Sequence, residues 1–172
     1  MSKPPNLLFT DEQLAYEWTL SEEDFIFIKR YRKPFRPWLA VQLCAIRLYG
    51  RFLEHCTDLS PRIVSYITSQ LALEPTLSIT VPAREVTYIE QRQAILNYLG
   101  FGRLSVTERE DLEVWLMEQA LQHSELAEFT TSVERKLLDD KKVIPPKQHC
   151  NDSLKVFTQQ LFRNNMKILI SN

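Results

Sequence analysis

Basic side chains are concentrated in one stretch of this 172-residue chain, between Phe25 and Phe52. The stretch contains seven lysines and arginines and no aspartate or glutamate. Such side chains neutralise phosphates, and arginine or glutamine on a helix can also pair with base edges. The candidates for this chemistry are Arg30, Arg32, Lys33, Arg36, Gln42, Arg47 and Arg51.

The formal net charge of −1 conceals this basic stretch. Residues 25–52 carry +7 and residues 130–172 carry +4, whereas residues 1–24 carry −5 and residues 53–129 carry −7. Local charge rather than total charge attracts a polyanion, so the sequence predicts a polyanion-binding face.

The alternative is that acidic neighbours fold against the basic stretch. Arg47 and Arg51 would then form surface pairs with Glu54 or Asp58, and Gln42 would be an ordinary exposed helix residue. Both interpretations remain open from the residues alone.

Catalytic and metal chemistry have little support in the sequence. Three glycines leave no glycine-rich loop for phosphates. The pairs His55-Cys56 and His149-Cys150 lack zinc-ligand spacing, because adjacent residues on a helix point about 100° apart. No nucleophile and base occur in a supporting context. We therefore expect no catalytic residue, metal site, cofactor or small-molecule substrate.

Cysteine usage and hydropathy favour a cytoplasmic protein without membrane contact. The three cysteines show no paired spacing, so a disulfide framework is not expected, and Cys44 lies on an apolar helix as a small buried residue. No apolar run approaches the roughly 20 residues of a membrane span. The N-terminus lacks the features of a signal peptide.

Capping and stop signals predict an all-α fold. Ser21 with Asp24 forms a capping box, and a later helix is expected to begin near Pro37 and end at Gly50. Ser60-Pro61 opens the next helix. Further helices are expected over about 85–99 and 151–164. Two more should lie between them: one begins at a capping box of Thr107 with Glu110, and the other is capped by Ser124.

Apolar residues at helical spacing predict two cores. One comprises Trp38, Leu39, Leu43, Ile46, Ile63, Ile67 and Leu71. The other includes Leu96, Trp115, Leu116 and Phe129. On the helix over 85–99 we expect Ile89, Leu96 and Leu99 to be buried.

The expected arrangement is two consecutive three-helix, helix-turn-helix-like units. The segment SPRIVSYITSQLALEPTLSI has the outline of a helix-turn-helix, with its turn near Ala72-Leu73. The predicted divisions are a lead-in over 1–20, a first unit over 21–103, a second over 104–144, and a loop with a C-terminal helix over 145–172. The segment KKVIPPKQHC, which overlaps the last two divisions, is the clearest linker or wing-like loop.

Two longer stretches carry a family resemblance. TLSEEDFIFIKRYR leads into LAVQLCAIRLYGRFL, and REVTYIEQRQAILNYLGFGRL follows about thirty residues later. Together they resemble the N-terminal domain of Tn-three-family (class II, replicative) transposases over about residues 19–150. The resemblance implies recognition of the transposon's terminal inverted repeats, with the acidic catalytic triad on a downstream domain. Its two signatures contain Gln42, Arg47, Gly50 and Arg51, then Arg84, Arg92, Gly100 and Phe101, with Arg103 close behind.

The leading hypothesis is a non-catalytic DNA-binding domain that positions a transposase on double-stranded DNA at a transposon end. The alternative is a protein-interaction module, a truncated transposase fragment that binds the full-length enzyme and modulates it. A small nuclease is the third hypothesis. Salt-dependent DNA binding separates the first two, and metal-dependent cleavage would reveal the third.

Overall fold

The computed structural model describes residues 10–55, 59–74, 79–120, 122 and 125–144. In these ranges the chain is helical, with one isolated β-bridge and no strand, so the all-α prediction is confirmed. None of the described helices is both long and apolar enough to cross a membrane. The helices are α1 (Asp11–Glu17), α2 (Glu22–Lys29), a 3₁₀ helix (Lys33–Phe35), α3 (Arg36–Tyr49), α4 (Pro61–Gln70), α5 (Glu85–Leu99), α6 (Val106–Ala120) and α7 (Leu126–Asp139).

Local hydrogen bonds explain why several helices begin and end where they do. Ser21 and Asp24 form the predicted capping box at the start of α2. Ser60 caps α4, with Pro61 in its first turn. Gly50 and Gly100 end α3 and α5 with φ of +63° and +73°, a conformation that favours glycine.

The predicted start of α6 was wrong by two residues. Ser105, rather than Thr107, lies before the helix, and its backbone N–H donates to Glu108 Oε2 at 2.9 Å. The N–H of Glu108 donates in return to Ser105 Oγ at 3.3 Å. Both serine and threonine can cap a helix, so the local pattern S-V-T-E-R-E permits either register.

The chain divides into two compact units. Unit 1 comprises residues 1–48 and 52–99, and unit 2 comprises residues 49–51 and 100–172. Within the described residues, unit 1 holds α1 to α5 and unit 2 holds α6 and α7.

The most buried element of unit 1 is α3. Every residue from Pro37 to Ile46 is buried, so this helix is enclosed on all sides rather than on one stripe. Ile63, Val64 and Ile67 on α4 are also buried. The first predicted core is therefore buried at six of its seven positions, the exception being Leu71, which is half-buried.

On α5 the buried face differs from the predicted one. Ile89 is 56% exposed, whereas Gln91, Ile95 and Leu96 are buried. Leu96 belongs to unit 1, so it is not part of the core of α6 and α7 as predicted. Leu99 is half-buried.

Among the described residues of unit 2, an apolar cluster joins α6 and α7. Leu104 and Trp115 pack against its edge. The cluster comprises Leu112, Leu116, Ala120, Phe129, Val133, Leu137 and Ile144.

Residues 141–144, at the start of the predicted linker or wing-like loop, are anchored in unit 2 by main-chain hydrogen bonds. The N–H of Gly102 donates to Lys141 O at 3.0 Å, and the N–H of Val143 donates to Gly102 O at 3.0 Å. The N–H of Ile144 donates to Gly50 O at 2.7 Å. A Cβ at Gly50 would lie 2.9 Å from Ile144 Cδ1, so a side chain there would force Ile144 to shift.

The predicted helix-turn-helix is not observed in the described residues. A turn does follow α4, where Ala72 has a φ of +50°. Residues 73–74 and 79–84 are not helical, and residues 75–78 lie outside the described ranges. The predicted cap at Ser124 and the predicted helix over 151–164 also lie outside them.

Candidate nucleic-acid interface

Arg47 forms an ion pair inside unit 1. Its Nη2 atom lies 2.7 Å from Asp24 Oδ1 and 2.8 Å from Asp24 Oδ2. Asp24 is fully buried, whereas 38% of the Arg47 side chain is exposed. Among the described residues the carboxylate partner of Arg47 is therefore Asp24 rather than the predicted Glu54, and Asp58 lies outside the described residues.

Asp24 joins three helices through the same carboxylate. Besides binding Arg47 of α3, it accepts a hydrogen bond from the Ser21 N–H at 2.9 Å in the capping box of α2. The hydroxyl of Tyr98 on α5 donates to Asp24 Oδ1 at 2.9 Å. Burial, together with this hydrogen bond and the negative charge of Asp24, raises the pKa of Tyr98.

Arg51 is paired in unit 2. Its Nη2 atom binds Glu134 of α7, and only 14% of its side chain is exposed. A guanidinium in this position is already compensated by a carboxylate, so it is poorly placed to bind a phosphate. Asp58, one of the predicted partners, lies outside the described residues.

Gln42 is buried and holds the chain after α3. Its amide donates to Leu53 O at 2.9 Å and accepts from the Leu53 N–H at 3.0 Å. The side chain is 1% exposed, so neither the prediction of a base contact nor that of a plain exposed residue fits. A buried amide with both groups bonded is a structural element.

Arg92 lies between two aromatic rings in the same part of unit 1. Its guanidinium carbon is 4.7 Å from the ring centroid of Phe52 and 4.3 Å from that of Tyr88. Its Nη2 atom lies 3.4 Å from Leu53 O. Burial lowers the pKa of Arg92, and its Nε forms no hydrogen bond with a described residue. Arg92 therefore helps Gln42 to fix Leu53.

Arg36 caps the end of α2 from the first turn of α3. Its Nε donates to Tyr31 O at 2.9 Å, and its Nη2 donates to Lys29 O at 3.0 Å. A cation beside the last carbonyls of a helix also offsets the negative end of the helix dipole.

The remaining predicted residues are exposed. Arg30, Arg32 and Lys33 lie between α2 and α3, beside the exposed Lys29. We refer to residues 29–33 as the basic segment. None of its four cations forms an ion pair with a described residue. Arg84, before α5, and Arg103, in unit 2, are exposed as well.

The basic segment is suited to neutralising phosphates. Four cations occur within five residues, and no acidic residue occurs in the sequence from 25 to 52. Lysine and arginine in such a position bind the nucleic-acid backbone without regard to base sequence. The residues predicted to read bases from α3, Gln42 and Arg47, are instead engaged within unit 1.

Over the described ranges, no group of three or more His, Cys, Asp or Glu side chains could hold a metal ion. His55 is exposed, and Cys56, His149 and Cys150 lie outside these ranges. Cys44 is fully buried, and burial raises the pKa of its thiol to about 12, so it is an unreactive core residue.

Sequence reasoning missed the role of Asp24 beyond its helix cap. Arg47 lies 23 residues and Tyr98 lies 74 residues further along the chain, so no spacing pattern connects them. The sequence offered only an indirect signal. Asp24 comes directly before a hydrophobic run, and Arg47 lies in a stretch that contains no acidic residue.

The family model named "Domain of unknown function (DUF4158)" matches residues 3–149. The chain belongs to this family. The DUF4158 match extends across all the described residues, so it includes both units and the basic segment.

Proposed function

We propose that this chain is a non-catalytic DNA-binding domain of a Tn-three-family transposase, and that it engages the terminal inverted repeats of the transposon. Two features support the proposal. One is the resemblance of the stretches around Gln42–Leu53 and Arg84–Leu104 to the N-terminal domain of those transposases. The other is the basic segment on the surface of unit 1.

The basic segment is the observation that carries the proposal. Its four side chains are exposed and have no carboxylate partner among the described residues. Other cations of the same stretch have partners inside the protein: Arg47 binds Asp24, and Arg51 binds Glu134. Cations left without an internal partner are those available to a polyanion, because phosphate contacts displace only water and counterions.

In this proposal, different residues bind phosphates, contact bases and stabilise the fold. The basic segment supplies affinity through phosphates, whereas exposed Arg84 and Arg103 are the remaining candidates for base contacts. Arg36, Gln42, Arg47, Arg51 and Arg92 stabilise the fold instead.

The test compares duplex DNA carrying the terminal repeat with a scrambled duplex, by fluorescence anisotropy over a range of salt concentrations. The Arg32→Ala/Lys33→Ala double variant should weaken binding to both duplexes. The slope of log K against log salt should fall by about 0.9 for each phosphate that the variant no longer neutralises.

The matched control is Arg109→Ala/Arg135→Ala, which removes the same charge from exposed positions on α6 and α7. Its salt slope should equal that of the wild type. If the wild type binds neither duplex, or if the two double variants behave alike, the proposal fails.

A protein-interaction module is the second candidate function. It is favoured by exposed aliphatic side chains on α6, where Val106, Val114 and Met117 are 76%, 60% and 49% exposed. Titration of the chain with full-length transposase would test it. Met117→Glu should weaken such a complex while leaving binding to DNA unchanged.

A further inference from the structure

The backbone of the basic segment forms hydrogen bonds at several of its residues. Three of its carbonyls are acceptors: Lys29 O and Tyr31 O bind Arg36, and Arg32 O accepts from the Phe35 N–H at 3.0 Å. These three hydrogen bonds tie the backbone of the segment to residues 35 and 36.

Tyr31 anchors the segment through its side chain as well. Its ring meets the ring of Phe27 edge to face, with centroids 5.6 Å apart. Phe27 in turn stacks on Tyr98 of α5 at 4.5 Å. The central residue of the segment is thus tied to unit 1, while the four cations on either side of it remain exposed.

Resting on the proposed function, we propose that Arg36 is a positioning residue that fixes the basic segment for phosphate binding and does not itself bind DNA. Both of its observed hydrogen bonds are with main-chain carbonyls of the segment. It is half-buried, unlike the four cations that it positions.

The geometry of arginine explains why this residue suits the task. A planar guanidinium can donate from Nε and from a terminal nitrogen at once, so a single side chain reaches two carbonyls that lie two residues apart. Lysine carries the same charge on one nitrogen and does not reproduce this pair of hydrogen bonds. A segment that is ordered before binding loses less conformational entropy when it meets DNA.

The experiment uses two variants of Arg36 in the full chain. Arg36→Lys retains the charge but loses the paired hydrogen bonds to Tyr31 O and Lys29 O, and Arg36→Gln loses both the charge and this pair of hydrogen bonds. Arg62→Lys and Arg62→Gln serve as controls, because Arg62 lies on α4 and pairs with Asp11. Binding to the terminal-repeat duplex is measured over a range of salt concentrations, and the rate of trypsin cleavage after Lys29, Arg30 and Arg32 is measured without DNA.

We expect both Arg36 variants to bind DNA about fivefold more weakly than the wild type, as for the loss of one charge-assisted hydrogen bond. Their salt slopes should equal the wild-type slope, because the same phosphates are neutralised. Trypsin should cleave the segment faster in both variants, relative to cleavage after Arg109 and Arg135 in unit 2. The Arg62 variants should change neither measurement.

Two results would overturn the inference. If Arg36→Lys binds like the wild type while Arg36→Gln lowers the salt slope by about 0.9, Arg36 binds a phosphate directly. If affinity and segment cleavage are unchanged in both variants, Arg36 does not position the segment. A wild type that fails to bind DNA overturns the proposed function instead, and the trypsin rates then decide separately whether Arg36 orders residues 29–33.

Discussion

The arginines of α3 and the cations of the basic segment come from one acid-free stretch of sequence, yet their surroundings are opposite. Arg47 binds the fully buried Asp24, and Arg36 binds two main-chain carbonyls. Arg32 and Lys33 are exposed and have no carboxylate partner among the described residues. An acid-free window in a sequence therefore does not mean an acid-free environment in the fold.

Burial explains the difference between the two regions. Ten consecutive residues of α3 are buried, so neighbouring elements approach that helix from all sides. A guanidinium that is partly removed from water must find acceptors there, because an unpaired buried charge is costly. The basic segment lies between two helices at the surface, where water solvates its cations.

The largest effect should come from disrupting the packing of α3, which holds the paired arginines in place. Leu43 is fully buried. Leu43→Ala should lower the free energy of unfolding by about 2–5 kcal/mol, through reduced burial and the cavity left behind. Chemical denaturation measures this change. Ile26→Ala on α2, where the side chain is 56% exposed, is the control and should cost far less. Equal losses in the two variants would show that α3 is not the core helix.

The next largest effect is expected from removing the charge that binds Arg47. Asp24→Asn keeps the size of the side chain and an acceptor for the Ser21 N–H, but leaves the guanidinium without its counter-charge. We expect a loss of about 2–3 kcal/mol in the free energy of unfolding. Glu22→Gln, at an exposed position in the same helix, is the control. A variant as stable as the wild type would mean that Arg47 is effectively a surface cation.

The pair in unit 2 should be weaker, since 40% of the Glu134 side chain is exposed. A double-mutant cycle with Arg51→Met and Glu134→Gln should give a coupling energy of about 1 kcal/mol. Neither single variant should change the salt slope of DNA binding. A lower slope for Arg51→Met would return this residue to the set that binds phosphates.

The ion pair between Lys142 and Glu108 in unit 2 should make stability depend on pH in acid. Lys142 Nζ lies 2.6 Å from Glu108 Oε1, and hydrogen bonds from Lys142 and Ser105 lower the pKa of Glu108 from 4.5 to about 2. Because the folded-state pKa is depressed, the stabilisation is present above about pH 4.5 and is lost as the pH falls towards 2. Glu108→Gln should flatten the change in unit 2 stability across this window, and Glu110→Gln should not. Thermal melts from pH 5 to 2 measure this, and parallel curves for Glu108→Gln and the wild type would refute it.

The smallest effect on stability is expected in the basic segment. Arg32→Ala removes an exposed side chain with no ion pair in the described structure, so the free energy of unfolding should change by less than about 0.5 kcal/mol. Thermal unfolding checks this value. A loss comparable to that of Asp24→Asn would indicate an internal role for Arg32 and would remove the contrast between the two regions.

The helix limits were largely predictable from the sequence, whereas the buried face of α5 was not. The limits of α3, α4 and α5 follow from Pro37, Ser60 with Pro61, and the two glycines at the helix ends. On α5, apolar residues occur on all faces, so periodicity does not identify which of Ile89 and Ile95 is buried. Packing of α5 against the rest of unit 1 determines that Ile95 is buried and Ile89 is exposed.

The candidate site shows the same division at the level of single residues. Helix caps are hydrogen bonds between groups three or four residues apart, so Ser21 and Asp24 could be paired from the sequence. The partner of a guanidinium is whichever acceptor the fold brings within about 3 Å. For Arg47 and Arg51 those acceptors lie 23 and 83 residues away, so sequence spacing did not distinguish these arginines from the exposed cations of residues 29–33.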